Sequence, residues 1–171
     1  KVEAGSPLFF DKKRPEILFT SPVSGEVAAV NRGEKRKILS VVVAADAEIA
    51  YKQSSSLDLV KASREQIIDL LLESGLWTMF VQRPYGVVAN PSDKPKAIFV
   101  SAFDSAPLAT DYGFALASSQ QSLQKGFDVL RRLTDGKVHL SYNAKGVKPE
   151  IEGVELHAFE GKHPAGNVGV Q

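Results

Sequence analysis

A chain of 171 residues with 43% hydrophobic and 24% charged side chains has enough apolar material for one large or two small packed domains. Its net charge of +1 gives no case for nucleic acid as a partner, and the absence of cysteine excludes disulfides, Fe–S ligation and thiolate metal sites within it. No apolar run approaches the roughly 18 residues that a membrane-spanning helix needs, and no signal peptide is visible. The start at Lys1 without Met and the end at Gln171 in mid-pattern predict an excised piece of a longer protein.

The first fifty or so residues read as β structure, with turn signals about every 8–12 residues, the spacing of a small sandwich or barrel. Leu8-Phe9-Phe10 and Ile17-Leu18-Phe19-Thr20 are short strands flanking a basic hairpin tip, Asp11-Lys12-Lys13-Arg14-Pro15. Pro22 to Gly25 turns, Glu26 to Val30 alternates, Asn31-Arg32-Gly33 turns again, and Lys37 to Ala44 is a longer strand. The segments flanking the tip, Val2 to Leu8 and Ser21 to Val27, resemble those of biotinyl/lipoyl carrier domains, barrel-sandwich hybrids that display a modified lysine on the central hairpin. That alignment places Lys12 or Lys13 near the carrier position, although Lys, Arg and Pro crowd it. The alternatives are a solvated basic tip or a docking site for an acidic partner. Arg32, Lys35, Arg36 and Lys37 form a second basic cluster of the kind that steers negatively charged partners.

Asp46 to Asp58, with Gln53-Ser54-Ser55-Ser56 at its middle, is a polar bridge, so the expected domains are residues 1–52 and 57–171. Ser63-Arg64-Glu65-Gln66 has the form of a capping box, Ile67, Ile68, Leu70, Leu71 and Leu72 supply an apolar face, and Gly75 suits a left-handed stop. The aromatic-rich run after it contains Trp77, Phe80 and Tyr85, which either pack a core or stack on a flat ring such as a quinone, flavin or base. Ala97 to Phe103 is nearly unbroken apolar sequence, the mark of a parallel strand covered on both faces. Ligands of open α/β sheets sit beyond the carboxyl ends of such strands, which directs attention to Asp104 to Leu108. Ser118 to Leu133 reads as a helix, with Leu123, Phe127, Leu130 and Leu133 at helical spacing. Lys137 to Tyr142 and Val154 to Phe159 alternate as strands.

Catalytic signatures are missing. Gly161 and Gly166 have phosphate-loop spacing, but Asn167-Val168 stand where Lys and Ser/Thr are required, and no G-x-G-x-x-G is present. Ser105, His163 and Asp104 lack the nucleophile-elbow context of a hydrolase. A histidine-based zinc site needs at least three converging ligands; His139 and His157 could neighbour each other across two strands, but nothing in the spacing requires it. No catalytic residue and no metal ligand is therefore assigned.

Three segments together are more specific: Gly75-Leu76-Trp77-Thr78 with Arg83-Pro84; Ala97 to Val100 with Ala102, Asp104 and Pro107-Leu108-Ala109; and Gly161 to Gly166. With Leu8-Phe9, Asp11-Lys12-Lys13, Ser24 to Val27 and Asn31-Arg32-Gly33, they resemble the A subunit of the Na⁺-translocating NADH:quinone oxidoreductase (the Nqr complex) over nearly the whole chain. Related proteins are the C subunit of the Rnf electron-transport complex and, by fold, the flavin subunit of respiratory complex I. The resemblance implies a biotinyl/lipoyl-like barrel-sandwich hybrid followed by an α/β domain of Rossmann-like kind. It also implies a peripheral subunit on the cytoplasmic face of the bacterial inner membrane, partnered by the other subunits of the complex. Such a subunit carries no redox cofactor of its own, while NADH, FAD, FMN and Fe–S centres serve the wider complex. Ubiquinone is the candidate ligand, with Trp77, Arg83, Tyr85, Asp104 and His163 as candidate contacts. Lys12, Lys13, Arg14, Arg32, Lys35 and Arg36 are candidates for docking. A lysine-modified carrier and a flavin- or nucleotide-binding module are the alternatives.

Overall fold

The computed structural model describes residues 1–59 and 61–171. They divide into two compact units, Lys1–Ser92 and Asp93–Gln171.

In the first unit, strands β1 (Pro7–Phe10) and β2 (Leu18–Thr20) form the expected antiparallel hairpin around the basic tip. Phe9 and Phe19 stack across it with ring centroids 4.7 Å apart. Strands β3 (Gly25–Arg32) and β4 (Ile38–Ala45) make a second antiparallel ribbon. Isolated bridges from Val2 to Gly25 and from Ala4 to Tyr51 tie in the first residues. Buried Ser24 fastens the ribbon's end, donating to Asp46 and accepting from the Ala50 N–H. Among the described residues these pieces do not close into a barrel, and Val30, Leu39 and Val42 stay exposed. Turn signals specify each hairpin, whereas closure needs ladders between hairpins, and only single bridges supply them here.

Helix α1 (Arg64–Glu73) begins with the complete capping box, Ser63 Oγ accepting from the Gln66 N–H and Gln66 Oε1 from the Ser63 N–H. Its Ile67 and Ile68 are buried. Gly75 follows at φ 75°, a left-handed conformation that glycine adopts without strain, and a Cβ there would stand 2.6 Å from the Thr20 side chain. The chain then makes a 3₁₀ turn at Leu76–Met79 that buries Trp77 against Phe80. Strands β5 (Val81–Gln82) and β6 (Val87–Val88) pair across the Arg83–Gly86 turn, a hairpin too short to register as a sequence pattern.

The second unit is an α/β layer. Strands β7 (Ile98–Ala102), β8 (Val138–Asn143) and β9 (Glu155–Phe159) form a parallel sheet in the order β7-β8-β9. Helices α2 (Tyr112–Ala115) and α3 (Gln120–Arg132) lie in the connection from β7 to β8; α2 is a single turn with no counterpart in the sequence reading. Phe127 of α3, Val138, Leu140 and Ile151 are the buried centre, with Ile98, Val100, Leu123, Leu130 and Leu156 packed around them. The expectation that Ala97 to Phe103 is covered on both faces is corrected. Strand β7 is an edge, β8 is the middle strand, and Phe99 is 69% exposed. By strand alternation Phe99 falls on the face opposite Ile98 and Val100, so α3 covers only one side of the sheet. No helix among the described residues is long and apolar enough to cross a membrane.

Candidate functional site

Parallel strands β7 and β8 end side by side, Ala102 beside Tyr142. The loops leaving them border a cavity of about 680 Å³. Leu116, Leu123, Phe127, Leu140, Val147 and Ile151 give it apolar walls. Thr110, Gln120, Tyr142 and Asn143 add neutral polar groups, and its charged lining residues are Asp104, Asp111 and Lys148. This is the carboxyl edge of the sheet, where open α/β folds take ligands.

Short-range polar bonds shape the rim. Asp104 Oδ1 accepts from the Ala106 N–H at 2.8 Å and turns the chain out of β7. Leu108, fully exposed at φ 64°, holds a left-handed conformation that a branched side chain rarely adopts. Asp111 caps α2, accepting from the N–H groups of Gly113 and Phe114. On the β8 side, Asn143 Oδ1 accepts from the Lys145 N–H at 3.0 Å.

Of the five candidate quinone contacts, Asp104 lines this cavity. His163 lies just behind the rim, its Nδ1 3.4 Å from Ser105 Oγ. Ser105 Oγ also accepts from the Gly166 N–H at 2.8 Å, so the Gly161–Gly166 stretch is tied to the β7 exit loop. Gly166 is buried there, and a Cβ on it would fall 2.2 Å from the Ser105 backbone nitrogen. Backbone cannot swing aside as a flexible side chain can, so Gly166→Ala is expected to displace the Asp104–Ser105 loop and to lower stability by about 1–3 kcal/mol. Denaturant unfolding of the variant checks this.

Trp77, Arg83 and Tyr85 belong to the first unit. Trp77 is 5% exposed and spends its indole N–H on the Ala89 carbonyl at 2.8 Å. Arg83 and Tyr85 sit exposed in the β5–β6 turn. The docking candidates occupy the two hairpin tips of that unit. Lys12 and Lys13 are exposed, and Arg14 is half-buried with its guanidinium 4.0 Å from Asp11. Arg32 donates to the Arg36 carbonyl, and Lys35 and Arg36 extend the β3–β4 turn at φ 53° and 61°.

One feature escaped the sequence reading and another was left open by it. The first is the β8 side of the cavity, Tyr142 and Asn143, whose signal was their place at the end of a second parallel strand. The other is a meeting of imidazoles: His139 Nδ1 and His157 Nε2 are 2.9 Å apart on neighbouring strands, with Glu155 beside them. Each strand's alternation was legible, but the register that pairs Ser141 with His157, and so sets His157 diagonally next to His139, was not. The Lys137 ammonium, hydrogen-bonded to Glu155, holds that carboxyl below the usual carboxylate range.

Comparisons with known proteins agree along the chain. The family model described as the NqrA second alpha/beta domain matches residues 62–171, and that of the NqrA N-terminal barrel-sandwich hybrid domain matches residues 1–46. The A subunit of the Na(+)-translocating NADH-quinone reductase of Yersinia pseudotuberculosis (serotype O:1b, strain IP 31758) is 42% identical over 173 residues, covering 99% of this chain and 39% of the relative. Its counterpart in Serratia proteamaculans is 42% identical over 175 residues, with 98% and 39% covered. The one in Cellvibrio japonicus is 40% identical over 173 residues, with 99% and 39% covered. The chain thus spans about two-fifths of the length of these relatives.

Proposed function

The chain belongs to the NqrA family, and from that premise we propose that it is part of a peripheral subunit of a sodium-translocating NADH–quinone reductase. In this reading the cavity at the carboxyl edge of its parallel sheet receives a quinone head. The subunit works at the cytoplasmic face of the membrane and carries no redox cofactor of its own. Electrons reach the quinone from NADH through flavin and Fe–S centres in other subunits.

The observation that carries the reading is the chemistry of the cavity lining. A quinone head is a flat, uncharged ring with two carbonyl acceptors. It needs apolar walls and hydrogen-bond donors, which Leu116, Leu123, Leu140 and Val147 on one hand and Thr110, Gln120 and Tyr142 on the other supply. A flavin or dinucleotide brings phosphate, which favours basic side chains or a glycine-rich loop at a helix start. Here two carboxylates face one lysine, and the residues leading into α3, Leu116-Ala117-Ser118-Ser119, contain no glycine. Asp104 is the sequence-assigned candidate that contacts the ligand directly. His163 supports it through Ser105. The basic hairpin tips with Lys12, Lys13, Arg14, Arg32, Lys35 and Arg36 dock against acidic surfaces of neighbouring subunits.

A short-chain ubiquinone is expected to raise the melting temperature progressively with its concentration, because binding to the native state alone stabilises by about 2.7 kcal/mol at a hundredfold excess over Kd. Ala109→Phe, which fills the cavity from its lining, should abolish the rise. FMN, FAD and NADH should leave the melting temperature unchanged. A rise with FMN and none with quinone would transfer the cavity to a flavin module.

A further inference from the structure

Beyond the quinone cavity, the helix-free face of the sheet carries a second constellation. By alternation and register, Phe99, His139, Glu155 and His157 share that face across β7, β8 and β9. One ligand atom from each of His139, Glu155 and His157 lies within 4.8 Å of the other two. We propose that these three residues form a binding site for a divalent first-row transition-metal ion, held by two imidazoles and one carboxylate.

Four observations favour an ion over a mere polar contact. First, the spacing suits coordination. With metal–nitrogen bonds of about 2.1 Å, two ligands at right angles stand about 3 Å apart. His139 Nδ1 and His157 Nε2 are already at 2.9 Å, so their separation matches, and each ring swings about its own bonds to turn its lone pair from its partner to the ion. As a hydrogen-bonded pair, one of these nitrogens must donate a proton to the other; a metal takes the place of that proton. Second, the ligands stand on two hydrogen-bonded parallel strands rather than on loops, which fixes their separation. Third, the ring of Phe99 stacks on His139 with centroids 4.6 Å apart and planes 9° from parallel, limiting imidazole rotation. Fourth, Glu155 can serve two partners. Lys137 Nζ donates to its Oε1, and a carboxylate offers two oxygens with about four lone-pair sites, so Oε2 remains for the ion.

The donor set selects the class of ion. Two imidazoles and a carboxylate on one side of the metal suit zinc, cobalt, nickel or ferrous iron rather than the hard, all-oxygen ions magnesium and calcium. The right-angle spacing favours an octahedral ion with three further positions turned to solvent, on a face where Phe99 and the Lys137 side chain are mostly exposed.

The test uses the intact chain, freed of metal with chelator and titrated with cobalt(II) alone by calorimetry. One equivalent is expected to bind. His139→Gln, His157→Gln and Glu155→Gln should each weaken binding by at least about tenfold, a loss already typical when residues that only orient metal ligands are changed. His163→Gln, which removes the chain's remaining histidine, should leave it unchanged. Since a variant can lose its fold, two-dimensional NMR of the unmutated chain supplies a second reading. Paramagnetic broadening should centre on β8 and β9 around these residues. The proposal is overturned by no saturable binding up to about 1 mM cobalt, by retention of full affinity in any one of the three folded variants, or by broadening centred elsewhere. Quinone is absent throughout, so the outcome is independent of the cavity's assignment.

Discussion

Phe127→Ala should lower the stability of the α/β unit by about 3–5 kcal/mol, the cost usual for emptying a buried aromatic site. Phe127 is 5% exposed at the middle of α3, where it meets Val138, Leu140 and Ile151. The same ring is part of the lining of the carboxyl-edge cavity. Truncation therefore removes apolar burial and joins the vacated space to an existing void, which leaves the surrounding helix and strands little to collapse onto. Urea unfolding, followed by circular dichroism, gives the loss as a fall in midpoint. Phe99→Ala is the matched control. It removes the same ring from the other face of the same sheet, where 69% of it already meets water, and it should cost less than about 1 kcal/mol. Equal losses in the two variants would contradict the assignment of α3's side as the core.

Trp77→Ala should be comparably severe for the first unit, again about 3–5 kcal/mol. The indole is buried beside Phe80 and its N–H is bonded to the Ala89 carbonyl, which joins the 3₁₀ turn to the residue just after β6. Trp77→Phe separates the two contributions. It keeps most of the apolar volume but leaves the Ala89 carbonyl without its donor, a loss of about 1–3 kcal/mol. If Trp77→Ala instead left the unfolding midpoint untouched while weakening quinone binding, the residue would be a ligand platform rather than a packing element.

Features set by local chemistry were legible in the sequence. Ser63 and Gln66 close a capping box because both side chains reach each other's backbone within one helical turn, and Gly75 follows because only glycine takes its backbone angle cheaply. The Phe127 stripe and the alternation of β8 and β9 marked one helix and two strands for the same reason. What stayed hidden depends on contacts far apart in sequence. Ala97 to Phe103 is as apolar as a fully buried strand, yet nothing local tells an edge from a middle position, and β8 took the middle. Likewise Asp104 was recognisable from its place after a strand, whereas Tyr142 joins it only through the parallel register of β7 and β8. The sequence allows His139 and His157 to neighbour each other across two strands without requiring it, and the register of β8 and β9 decides that they meet.

The most direct test of the quinone assignment is two-dimensional NMR of the isotope-labelled chain during titration with a short-chain ubiquinone. Saturable shifts are expected at Asp104 to Leu108, at Tyr142 and Asn143, and at the start of α3, the residues that surround the cavity. Absence of any saturable shift, or shifts confined to residues remote from that cavity, would contradict it.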